Sequence, residues 1–65
     1  MRFNDWIEEW GKQSPENTQL RFAKLAKMSP AMVTKLLNGS IPGKRIMKAI
    51  GRVTGGLVQA NDFYQ

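Results

Sequence analysis

The residues of this chain with chemistry to offer are mostly cations and hydrogen-bonding polar groups. Its 65 residues include no Cys and no His, so there is no thiolate, no disulfide and no imidazole base or ligand. Five acids, Asp5, Glu8, Glu9, Glu16 and Asp62, lie near the two ends. Between Asn17 and Asn61 stand eight bases, Arg21, Lys24, Lys27, Lys35, Lys44, Arg45, Lys48 and Arg52, and not one acid. The flanks, with two bases against five acids, are net −3, and the whole chain is +5. A single-sign field of this kind steers a polyanion to the surface. A chain that is basic only for solubility intersperses its signs instead. The expectation is a binding protein and not an enzyme, with no catalytic residue, metal site, cofactor or small-molecule substrate.

The most informative spacing lies in residues 30–38. Val33, Leu36 and Leu37 fall at i, i+3 and i+4, so a helix here turns them inward. Ala31, Thr34, Lys35 and Asn38 fall at i, i+3, i+4 and i+7 on the opposite face and point out. A methyl, a hydroxyl, an ammonium and an amide together match what base edges present in a DNA major groove. Lys35 can donate to guanine O6 and N7, Thr34 offers a hydroxyl or a methyl, and Ala31 suits a thymine methyl. Pro30, at the tip, supplies shape and apolar contact only.

Elements that position this face are legible around it. Ser29-Pro30 supplies a capping hydroxyl followed by proline at the first helical position, so a helix starts there. Gly39 ends it, and Ile41-Pro42-Gly43 keeps it from resuming. The preceding helix has two open starts, Ser14-Pro15 and Thr18, and runs to Ala26 or Lys27. Phe22, Ala23 and Ala26 form its buried stripe, with Leu25 at the edge and Leu20 expected to meet the first helix. Two helices of about eight residues, joined by a turn of three to four, let the second project into a groove just wide enough for it.

Upstream, Asn4 is expected to cap a first helix carrying Trp6, Ile7 and Trp10, with Gly11 as its stop. The two indoles read as core or interface aromatics. Downstream, a fourth helix over residues 43–54 has Ile46, Ala49, Ile50 and Val53 on its apolar face and Lys44, Arg45, Lys48 and Arg52 on the other. Lys48 and Arg52, farther along it, read as solvated charges. Gly55-Gly56 ends it. Leu57-Val58 is expected to be a short extended piece, and residues 61–64 a capped turn. Met28, Met32 and Met47 read as core filler. The fold class is therefore all-α, one domain over residues 1–65, a compact bundle of four to five short helices. No apolar run approaches the ~20 residues of a membrane span. The first residues lack a signal-peptide pattern. The absence of Cys fits a reducing compartment.

The run TQLRFAKLAKMSPAMVTKLLNG, residues 18–39, resembles the phage-repressor and Cro-like helix-turn-helix superfamily. Its pattern of Gln, Phe/Leu-Ala, turn, Ser, β-branched core residue and Asn-Gly falls on Gln19, Phe22-Ala23, residues 27–29, Val33 and Asn38-Gly39. With Ile41-Pro42 and VTGGLVQANDF, the likeness to compact prophage regulators extends over residues 14–63. One position departs: the turn residue usually filled by Gly is Lys27.

The resemblance implies a lambda-repressor-like fold and a cytoplasmic, nucleoid-associated regulator in a bacterial host. It also implies that Gln19 and the N-terminus of its helix meet DNA phosphate, together with Ser29, Asn38, Ser40, Lys44 and Arg45. Helix N-termini and bases fix register, while base-edge contacts specify sequence. One copy offers few base contacts, so a homodimer on a pseudo-palindromic operator is expected, its surface drawn from Leu57, Val58, Phe63 and Tyr64. The rival reading is a protein-interaction module on the same fold, an antitoxin or anti-repressor. A sequence-blind basic coat for nucleic acid is a further rival. A cationic membrane-surface helix is disfavoured by the Ser-Pro breaks and glycine stops.

Overall fold

The structure, a computed structural model, describes residues 1–64. These form four short helices, α1 (Phe3–Gln13), α2 (Gln19–Ala26), α3 (Pro30–Leu37) and α4 (Lys44–Thr54). A 3-10 turn, Ala60–Phe63, follows. Among the described residues there is no strand.

Helix boundaries follow from local chemistry. Pro15 bars the α region to Ser14, which is extended at φ −160° and ψ 141°, so α1 runs through Gly11 and stops at Gln13. Gly11 is thus not the stop. Ser14 does not cap α2 either: its hydroxyl accepts from the Glu16 N–H at 3.2 Å and builds the connecting turn. The cap is Thr18, whose Oγ1 accepts from the Arg21 N–H at 3.2 Å. Ser29 does the same for α3, accepting from the Met32 N–H at 3.2 Å with Pro30 behind it.

Glycines close α3 and α4. After α3, Gly39 takes φ +98° and the Ser40 N–H reaches back to the Lys35 carbonyl at 3.0 Å. After α4, Gly55 is left-handed at φ 65° and the Gly56 N–H donates to the Gly51 carbonyl at 2.9 Å.

The core is one cluster, Phe3, Phe22, Ala23, Ala26, Val33, Leu36, Ile50 and Val58, drawn from all four helices and the segment after α4. Phe22 is its centre. Its ring lies edge-on to Phe3 at 5.3 Å, Trp6 at 5.7 Å and Trp10 at 6.0 Å, and the two indoles stack at 5.4 Å. Three aromatic side chains gathered around a fourth give so short a chain a large apolar contribution to its core. Ala23 and Ala26 are small enough to let α3 and α4 approach α2, the helix both pack against.

Polar side chains tie the helices end to end. Asn4, expected to cap α1, instead donates its side-chain N–H to the Leu37 carbonyl at the end of α3, at 3.0 Å; α1 begins after Arg2 with no side-chain cap. Asn17 donates to the Trp10 carbonyl at 2.9 Å, and Arg52 to the Leu25 carbonyl at 3.0 Å. Thr54, buried, donates its hydroxyl to the Ile50 carbonyl and accepts from the Val58 N–H. That bond draws the chain back across the core, so Leu57 and Val58 form a bend and not an extended piece. Leu20, expected to meet α1, keeps 53% of its surface exposed.

Candidate functional site

The three residues between α2 and α3 set the attitude of α3. Lys27 is left-handed at φ 56° and ψ 44°, a conformation that glycine takes without strain. Its N–H donates to the Lys24 carbonyl at 3.2 Å, and the Met28 N–H to the Ala23 carbonyl at 2.9 Å, closing the end of α2. Met28 packs on the core, and Ser29 then opens α3.

From this anchor α3 buries Val33 and Leu36 fully and Leu37 in part. Pro30, Ala31, Thr34, Lys35 and Asn38 are all exposed. The inward and outward sets therefore divide along the spacing of the sequence. The Thr34 hydroxyl donates to the Pro30 carbonyl at 3.3 Å, leaving its lone pairs and methyl outward. Ser29 uses its oxygen as an acceptor in the cap, and its hydroxyl proton is still available to a partner.

The remaining candidate residues, Gln19, Ser40, Lys44 and Arg45, are exposed at helix starts or in the loop after α3. Lys44 and Arg45 occupy the first turn of α4, the positive end of its dipole. Cations there are unfavourable by about 0.3–1 kcal/mol each, a cost an anion at that end would offset. The pattern extends beyond α4: the first turns of α2, α3 and α4 hold no acid, whereas α1 has Asp5. Three helix N-termini are thus left with their N–H dipoles uncompensated by carboxylate.

Four of the five acids are engaged in ion pairs, near the two ends of the chain. Lys12 pairs with Glu8 and Glu9, Arg21 with Glu16, and the Met1 amino group with Asp62. Asp62 also caps the 3-10 turn, accepting from the Gln59 N–H at 2.8 Å. That bond, opposed by slight desolvation and aided by the Met1 amino group, holds its carboxyl below the ordinary value.

The four residues assigned to contacts between copies separate. Val58 is 1% exposed and belongs to the core, so its side chain has no surface to offer a second copy. Phe63 is half-buried against Phe3, with ring centres 5.9 Å apart. Leu57 and Tyr64 are 58% and 63% exposed. Arg52, read as a solvated charge, is exposed and in addition bridges α4 to α2 through the Leu25 carbonyl. Its partner lies 27 residues away, so no local spacing marks the bond.

Among the described residues no three His, Cys, Asp or Glu side chains gather to hold a metal ion, and no helix is long and apolar enough to cross a membrane. Compared with protein-family models, with curated proteins and with solved structures, the chain has no significant match in any of the three.

Proposed function

We propose that the chain is a sequence-specific double-stranded DNA-binding regulator, of the helix-turn-helix kind seen in phage repressors and Cro-like proteins. In this reading α2 and α3 form the helix-turn-helix of a lambda-repressor-like fold. The observation that carries it is the division of α3: its inner face is locked into the core while Ala31, Thr34 and Lys35 stand outward, on a stretch of chain, residues 17–61, that contains no acid. A helix with its side chains is about 10–12 Å across, and the B-DNA major groove about 12 Å wide. Gln19, Ser29, Asn38, Ser40, Lys44 and Arg45 then hold phosphates and set register, and the α3 face discriminates bases.

Two copies would read successive major grooves about 34 Å apart. The long dimension of one copy, 29 Å, is compatible with that spacing. Exposed Leu57 and Tyr64 are the apolar residues we assign to the contact between copies. Occupancy of the operator would exclude polymerase or a competing repressor, in the cytoplasm of a bacterial host.

Footprinting on the DNA flanking the coding region tests this reading. The wild type is expected to protect a discrete pseudo-palindromic site, and Thr34→Ala with Lys35→Ala to lose the preference while remaining folded. Each good base contact is worth about 1–3 kcal/mol of discrimination. Equal binding to scrambled competitor at physiological salt overturns it. Tight binding to a protein partner without any DNA shift would replace it with the antitoxin or anti-repressor reading.

A further inference from the structure

Between the C-terminal end of α2 and the exposed side of α4 lies a depression of about 330 Å³ that α3 does not line. Its floor is Ala26, Ile46 and Ala49, and its rim is Lys27, Arg45, Lys48 and Arg52. Two alanines in the floor keep it open. Among the described residues no carboxylate comes within ion-pair distance of any of the four cations, since the acids that pair do so with Lys12, Arg21 and the Met1 amino group. Arg52 is also positioned: one guanidinium nitrogen donates to the Leu25 carbonyl at 3.0 Å, and its other N–H groups are left for a ligand.

Lys27 adds a second, independent observation. A left-handed conformation at φ 56° is costly for any residue with a Cβ, and glycine would remove the cost. Backbone strain of this kind clusters at functional positions, and the side chain held here is a cation on the rim.

We infer that this depression is a binding site for a small anion of linked phosphates, a di- or triphosphate. One carboxylate would leave most of the rim unmatched. Linked phosphates bring several charges and many acceptor oxygens, which arginine takes in pairs and lysine as a point charge. The volume sits at the lower end of the roughly 300–1,000 Å³ typical of small-molecule sites. Of the residues assigned to DNA phosphate, only Arg45 is shared. The site needs no duplex, so it stands or falls apart from the proposed function.

The experiment titrates inorganic tripolyphosphate into the DNA-free protein at fixed ionic strength, read by calorimetry and by amide chemical shifts. Saturable 1:1 binding is expected, with shifts centred on Lys27, Arg45, Ile46, Lys48, Ala49 and Arg52. Lys27→Gly with Lys48→Ala should weaken it at least about tenfold, as loss of two charge-assisted contacts implies. Lys24→Ala, which removes a cation outside the depression, should leave it unchanged. Thermal melts of each variant exclude loss of fold as the cause. The proposal is overturned by an absence of saturable binding, or by equal weakening in Lys24→Ala, which would mean diffuse charge attraction. It is also overturned if the double variant lowers only the salt dependence of duplex binding, which would assign these cations to DNA phosphate.

Discussion

Single residues here depart from the commonest choice where a surface needs them. Lys27 is the clearest case, a left-handed lysine where glycine is the unstrained choice. Lys27→Gly relieves the Cβ clash but frees the unfolded backbone, so the two effects partly cancel. The net expectation is a gain of about 1 kcal/mol and a melting temperature higher by several degrees, measured by thermal circular dichroism. A lower melting temperature would mean that the lysine side chain makes stabilising contacts that outweigh the strain. Asp62 gives a pH signature at the same scale. Its carboxyl titrates below its unfolded value, so the stability it contributes is present above pH 3.8 and is lost as pH falls through the folded value. Denaturant melts at pH 7 and pH 3 should show a larger acid loss for the wild type than for Asp62→Asn, which cannot ionise. Equal losses would show that the carboxylate adds no stability.

Elements were legible in the sequence wherever their limits are set by neighbouring residues. The start of α3 is written in Ser29-Pro30 and its end in Asn38-Gly39, because capping and left-handed turns act over a few residues. The outward face of α3 was legible for the same reason, since it depends only on helical period. The end of α1 was also locally encoded, by Pro15 acting on Ser14, and Gly11 was the misleading sign. What could not be seen locally was decided across the fold. Asn4 has the right chemistry for a cap, but the Leu37 carbonyl, 33 residues away, takes its N–H. Val58 looked like surface beside two glycines until the Thr54 hydroxyl drew its N–H inward. Leu20 carries no local mark distinguishing an exposed leucine from a packed one. Arg52 belongs with these, because its partner lies 27 residues away on α2.

At the scale of the whole molecule, one small core holds everything in place. A domain of this length has roughly 3–10 kcal/mol of stability in total. Phe22 lies at the centre of that core and touches Phe3, Trp6 and Trp10. Phe22→Ala is expected to cost about 3–5 kcal/mol, enough to leave a large unfolded fraction at room temperature by far-ultraviolet circular dichroism. Phe22→Leu should stay folded with reduced stability; full helicity in the alanine variant would move the keystone elsewhere. The stacked indoles make the molecule its own optical gauge. Trp6 and Trp10 both lie on α1 against Phe22, so their emission and near-ultraviolet dichroism register the docking of α1 onto α2. Helix α3 contains no aromatic residue at all, so a partner that engages only its outer edge leaves that light largely undisturbed. Fluorescence therefore separates a variant that has lost its ligand from one that has lost its architecture.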